Sequence, residues 1–469
     1  MVNKRYQSYL GVVNVFPKKS LPSSLYCQTR LQQLPTIPVD SSSYTILETP
    51  HRCYSRILQL IENAKERILI TALYLQDDEI GRTILNALYK AKEKNPKLYV
   101  RVYVDFHRAQ RGLIGKGPSL GNSELYYSMA KDCENPPAIY GVPVKRREIF
   151  GVMHLKGFVF DDTVLYTGAS INDVYMDYNG RYRLDRYHEI HSKELANVMC
   201  AYVTNAFHQN FAVQDFSQGK VKSAKEMREE IKELRRHLTT TQYTFKNEKI
   251  REYQIGLTPI AGLGKRANQL NKAILWLIGA AREKLFICTP YFNPPKLIAK
   301  AIEDALAKGV NITLVVGDKK ANDFFIKPNE NFSPVGAVPY IYEQNLKEFI
   351  EKNKEYIDKG ALKIMLWEDK DNTYHVKGMY IDNNLALITG NNLNPRAWSL
   401  DLENGIIVSD PYHQLTEKFT HEQQFLLKHT KQILSADDLD SFESYPEEVQ
   451  KLLKKVKRLR ASIFIKQLL

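Results

Sequence analysis

The chain has 469 residues, enough for two domains that each bury their own core, and its 43% hydrophobic and 25% charged residues are ordinary globular values. Its formal charge of +13 asks for an anionic partner, while no run of 18 or more apolar residues exists that could span a bilayer. The first seven residues lack a signal-peptide core, and five scattered cysteines (Cys27, Cys53, Cys133, Cys200, Cys288) without a Cys-x-x-Cys read as reduced thiols of a cytosolic protein.

In chain order, residues 1–45 hold two Pro- and Ser-rich stretches, 16–24 and 34–43, and predict an irregular N-terminal arm. A first domain follows over 46–218. An amphipathic helix end runs into an apolar strand over 60–75, a second helix covers 80–94 and a second buried strand 98–104. The segment His154-Leu-Lys156-Gly-Phe-Val-Phe-Asp161 predicts a strand, turning into another over 163–167 and the loop Gly168-Ala-Ser170-Ile-Asn172. A charge-dense stretch over 219–250 predicts a solvated connecting helix. Residues 251–432 then repeat the first domain, with helix into strand over 277–292, a helix over 296–308 and a strand over 311–316. Their closing hairpin reads His375-Val-Lys377-Gly-Met-Tyr-Ile-Asp382, a strand over 385–389, then Gly390-Asn-Asn392-Leu-Asn394. Residues 433–469 end in a basic amphipathic helix.

Helix alternating with apolar strand predicts the α/β class, each domain a mostly parallel or mixed sheet flanked by helices. The two histidines stand 221 residues apart, far beyond a solenoid period, so the repeat means two similar domains. Packed as a pseudo-twofold, they bring the two hairpins together in one composite active site.

The residue types fit phosphoryl transfer. In an extended strand His154 and Lys156 point the same way, as do His375 and Lys377. Imidazole attacks phosphorus or moves protons near neutral pH, lysine offers fixed positive charge to phosphoryl oxygens, and Ser170, Asn172, Asn392 and Asn394 beyond each glycine can donate hydrogen bonds to them. Asp161 and Asp382 lie at turns, on the opposite strand face from the histidines, and read as structural. Neither a zinc-type spacing nor a phosphate-cradling Gly-rich loop is present, and this chemistry needs no metal or other cofactor.

The doubled pattern resembles the His-x-Lys-x4-Asp signature of the phospholipase D superfamily, and both copies are complete. Thr167-Gly-Ala-Ser-Ile-Asn-Asp-Val-Tyr175 and Thr389-Gly-Asn-Asn-Leu-Asn-Pro-Arg-Ala-Trp398 resemble the bacterial CDP-diacylglycerol–serine O-phosphatidyltransferases, the phosphatidylserine synthases of that superfamily. The segments at 140–144 and 104–112 do so too, and the likeness runs from about residue 45 to the C-terminus. It implies two phospholipase D-like repeats, CDP-diacylglycerol and L-serine as substrates, and a phosphatidyl-histidine intermediate. One histidine attacks; the other protonates the departing CMP and then takes the serine hydroxyl proton. The resemblance favours His154 as nucleophile, although the internal symmetry does not decide it. It also implies an acidic residue near a strand after each motif, to hold the second ring nitrogen. Glu403 fits in the second half; in the first, Asp185 is preferred to Glu189, which falls inside a strand.

The sequence departs from the wider superfamily by Gly-Ala-Ser in the first copy and Asn392 in place of serine in the second, which argues against a generic phospholipase or nuclease. A hydrolase with water as acceptor, or another phosphatidyltransferase such as a cardiolipin synthase, remains the alternative; the latter would normally bring N-terminal membrane-spanning segments. Nothing marks a serine pocket, and Arg108, Arg111 and Arg396 are candidates for its carboxylate by charge alone.

Residues 449–469 carry seven basic and no acidic side chains. On a helical wheel Val449, Leu452, Leu453, Val456, Leu459 and Ile463 share one face and Lys451, Lys454, Lys455 and Arg458 the other, with Arg460 intruding. Such a helix can lie on an anionic membrane. The expectation is a cytoplasmic protein, peripheral to the inner face of the cell membrane, with no nucleic-acid partner.

Overall fold

The structure is a computed structural model describing residues 23–112, 121–208, 210–327 and 330–458. Each half builds a mixed sheet with the same spatial order. In the first, Gln214–Asp215, Ala138–Val142, Tyr99–Asp105, Arg67–Thr71, Gly157–Phe160, Thr163–Thr167, Tyr187–His191 and Tyr44–Leu47 lie side by side. In the second the order is Thr430–Ile433, Leu362–Trp367, Asn311–Gly317, Lys284–Thr289, Gly378–Ile381, Leu385–Thr389, Leu402–Ser409, Gln254–Leu263 and Ile37–Asp40. Three neighbouring strands of each sheet run parallel and the hairpin strands antiparallel to them. The register also repeats, with Thr71 opposite Gly157 and Cys288 opposite Gly378.

The covering helices follow from periodicity and caps. Pro50–Asn63 starts with the Thr49 hydroxyl on the Arg52 amide and Pro50 in its first turn, and buries Cys53, Ile57, Leu60 and Ile61 on one face. Glu79–Lys94 is capped by Asp78 and turns Ile80, Ile84, Leu85 and Leu88 inward. Among the described residues no helix is long and apolar enough to cross a membrane.

Four expectations are corrected. The described part of the arm expected over 1–45 is ordered: Ser24–Gln32 is a helix with Cys27 packed on Trp276 and Ala280, and Ile37–Asp40 adds an edge strand to the second sheet. Its Ile37/Val39 alternation faces the core, and an edge strand tolerates Pro38, so the Pro-rich composition misleads there. Tyr44–Leu47 then joins the first sheet, so one N-terminal segment bridges both halves.

The connecting helix expected over 219–250 is regular only over Arg228–Leu238, which buries Ile231, Leu234 and Leu238. Beyond it Tyr243 stacks on Tyr202 at 4.1 Å. The C-terminal helix, Glu447–Arg458, turns Val449 and Leu453 onto Ala337, Tyr340 and Tyr445 of the second half instead of outward, because those side chains offer it an apolar seat. Leu459, Arg460 and Ile463 lie outside the described residues. Finally, the strands of the two motifs begin at Gly157 and Gly378, not at the histidines. Both glycines have φ of 118°, a backbone that L side chains rarely adopt, and there each chain leaves its own sheet for the other half.

Candidate functional site

That crossing builds the site. Ahead of Gly157, Met153 bridges to Leu402 in parallel, and the His154 amide donates to the Leu402 carbonyl at 2.9 Å. Ahead of Gly378, Thr373–Tyr374 pairs in parallel with Arg183–Leu184, and the His375 amide donates to the Leu184 carbonyl at 2.8 Å. In both places the residue after the bridge is acidic, so the acids are exchanged between halves. Glu403 lies 3.0 and 3.1 Å from His154 Nδ1, and Asp185 3.3 Å from His375 Nδ1. Glu189 instead pairs with Arg56 at 2.7 Å, away from the histidines. Both imidazoles are 6% exposed.

The lysines are exchanged as well. Lys156 runs over Gly390, where an added Cβ would stand 2.6 Å from its Cγ, and its Nζ donates to Ser170 Oγ at 3.3 Å. Lys377 reaches Gly168, whose added Cβ would stand 2.8 Å from Nζ, and binds Asp185 at 2.7 Å and His375 Nδ1. Each glycine that follows a Thr therefore admits the other half's lysine.

The remaining loop residues serve the backbone. Asn172 Oδ1 accepts the Tyr175 amide and Asn394 Oδ1 the Ala397 amide, each at 2.9 Å, while the Asn392 carbonyl accepts from Thr289 Oγ1 at 2.8 Å. Asp161 accepts the amides of Lys65, Glu66 and Arg67, and Asp382 those of Arg282, Glu283 and Lys284, so both tie a hairpin turn to the start of a strand far from the histidines.

Three supports escape motif reading. Asn404 clamps the Lys156 backbone at both ends, accepting its amide and donating to its carbonyl at 2.8 Å each. Its neighbour Glu403 is the only sequence signal. Tyr175 places its hydroxyl 2.9 Å from His375 Nδ1. Arg186, buried, binds Glu422 at 2.9 and 3.0 Å and donates to the Lys377 carbonyl at 3.4 Å, in the place Asn404 holds in the other half.

Burial and like charges set the electrostatics. Burial, with Lys156 and Lys377 close by, holds His154 well below the usual histidine range. His375 is lowered to about 4 by burial and Lys377, and Lys156 to about 7 by burial and Lys377. Burial would raise Asp185, but Lys377 and His375 outweigh it and pull the carboxyl to about 2. Burial and Asp401 push Glu403 up, so the two acids are unlike: Asp185 is firmly ionised beside His375, whereas the Glu403–His154 pair tends to its uncharged form. Two uncharged imidazoles and two buried lysines suit an anionic phosphorus centre. Of the arginines near the site, Arg111 is held bidentately by Glu148 at 2.5 and 2.7 Å, Arg396 binds Asp401 at 3.1 Å, and Arg108 lies 4.7 Å over the Tyr74 ring. Among the described residues no cluster of three or more His, Cys, Asp and Glu side chains is placed to hold a metal.

Known proteins resemble this chain in sequence and fold. The family model described as cardiolipin synthase, PLD-like domain, matches residues 57–201 and 274–425, one stretch in each half. The chain is 42% identical over 445 residues to the CDP-diacylglycerol–serine O-phosphatidyltransferase of Escherichia coli K12, covering 94% of this chain and 98% of that protein. It is 42% identical over 446 residues to the Haemophilus influenzae protein of the same name, with the same coverage. The crystal structure of phosphatidylserine synthase from Haemophilus influenzae superimposes with a TM-score of 0.92 at 41% identity, over 95% of this chain and all of that one.

Proposed function

The chain belongs to the CDP-diacylglycerol–serine O-phosphatidyltransferase family of phospholipase D-like proteins, and on that premise we propose that it makes phosphatidylserine and CMP from CDP-diacylglycerol and L-serine. The observation that carries the reading is a pair of buried imidazoles in one site, each held by an acidic side chain from the opposite half. Two displacements occur at one phosphorus. His154 attacks the phosphorus attached to diacylglycerol; the N–P bond forms as the P–O bond to CMP breaks, giving phosphatidyl-histidine. The departing group is a phosphate, weakly basic, and asks little protonation. His375, uncharged and backed by ionised Asp185, then takes the serine hydroxyl proton as that oxygen attacks and the N–P bond breaks. One proton is released per turnover. Lys156, Lys377 and Ser170 offset the charge on the nonbridging oxygens in both steps.

Incubating the protein in detergent micelles with CDP-diacylglycerol, with and without L-serine, tests this. Serine-dependent CMP release is expected. Release that ignores serine would make the protein a hydrolase, and no release would overturn the reading.

A lipid substrate requires access to the membrane. The C-terminal helix turns Lys451, Lys454 and Lys455 outward while Val449 and Leu453 are buried, which supports attachment to an anionic inner membrane face by charge, without insertion of the apolar face.

A further inference from the structure

Serine enters as a zwitterion. A site for it needs one cation and one anion side by side, next to the base that takes its hydroxyl proton.

Beside His375 the two halves supply such a pair. Arg183 comes from the first half and Asp323 from the second, with Nη2 and Oδ1 3.0 Å apart and side chains 15% and 19% exposed. Each is tied to a tyrosine that flanks the imidazole. The Arg183 guanidinium lies 4.7 Å over the Tyr175 ring, itself 5.5 Å from the His375 ring. Asp323 Oδ2 accepts the Tyr291 hydroxyl at 3.3 Å, and the Tyr291 ring is 5.9 Å from the same imidazole. Arg183 Nε donates to Thr373 Oγ1 at 3.1 Å, which fixes the guanidinium plane. Asp323 Oδ1 is within ion-pair reach of Arg183 yet receives no hydrogen bond among the described residues, so a buried acceptor is left for a ligand donor. Arg111 with Glu148 and Arg396 with Asp401 are ion pairs too, but no described contact ties either pair to Tyr175 or Tyr291.

Resting on the phosphatidyltransferase reading above, we propose that Arg183 and Asp323 receive L-serine, the guanidinium binding its carboxylate and the Asp323 carboxylate its ammonium. The hydroxyl then points between the two tyrosines at His375. The competing account is a plain ion pair that closes the interface.

Asp323→Asn and Arg183→Gln separate the two in the full-length protein, assayed with L-serine, with 3-hydroxypropionate (no ammonium) and with serine methyl ester (no carboxylate). Each variant is expected to raise KM for serine by about 10- to 100-fold, the cost of one lost charge-assisted contact, with KM for CDP-diacylglycerol and the slow serine-independent CMP release unchanged. Asp323→Asn should also erase the preference for serine over 3-hydroxypropionate, and Arg183→Gln that over the methyl ester. An unchanged serine KM, equal losses with every acceptor including water, or a protein that fails to fold would assign the pair to the interface and overturn the proposal. Wild-type protein without any serine-dependent release would instead overturn the reading on which it rests.

Discussion

Neither imidazole takes its acidic partner from its own half: His154 meets Glu403 and His375 meets Asp185. His154→Ala and His375→Ala should each lower turnover by at least about 100-fold, as loss of a nucleophile or general base does, and either variant retaining near-wild-type turnover would count against a composite site. A lipid-phosphate adduct trapped without serine should map to His154 alone by peptide mass spectrometry. The second residue-scale expectation concerns pH. Lys156 is held to about 7, so it is charged below that pH and loses its proton as pH rises through it. The kcat/KM for CDP-diacylglycerol, which reports the free protein, should therefore fall above about pH 7. Bound substrate, being anionic, favours the charged lysine, so kcat should fall only at higher pH. A pH profile measured in both parameters checks the displacement; coincident alkaline limbs would remove Lys156 from phosphate binding.

The hairpins are the elements that carry the exchange. Gly390 leaves room for Lys156, and Gly390→Ala would put a methyl 2.6 Å from the Lys156 Cγ. We expect activity to fall by about 10-fold or more, with a stability loss of about 1–3 kcal/mol from overpacking, read by thermal unfolding alongside kcat. Full activity would mean that Lys156 moves aside freely. Much of this element was legible beforehand: the strands Thr163–Thr167 and Leu385–Thr389 and the paired turns at Asp161 and Asp382 follow from alternation and spacing. The exchange was not, because spacing within a motif is the same whether the histidine serves its own half or crosses to the other. Asn172 and Asn394 read as phosphate donors from their loop positions; here the Oδ1 of each also caps the amide three residues on, a second use of the same residue type that loop position does not reveal. The strand Ile37–Asp40 was hidden because two buried residues between prolines and serines make a weak alternation signal.

At the scale of the whole molecule, the N-terminal segment, the parallel pairing of Arg183–Leu184 with Thr373–Tyr374, and buried Arg186 on Glu422 hold the halves in one arrangement, on which every distance in the site depends. On the proposed reading the same chain meets a lipid surface. Changing Lys451, Lys454 and Lys455 together to Gln should weaken binding to anionic vesicles, by at most about 1 kcal/mol per charge, and leave activity on detergent-dispersed substrate intact. Raised salt should erode wild-type binding similarly; vesicle binding unaffected by the triple change would place the membrane contact elsewhere. The central claim, that both halves act in turn on one phosphorus through a covalent intermediate, is tested most directly by stereochemistry. Each in-line displacement inverts the centre, so CDP-diacylglycerol made chiral with sulfur at the attacked phosphorus should give phosphatidylserine with net retention. Net inversion would mean that serine attacks CDP-diacylglycerol directly, and would contradict the account.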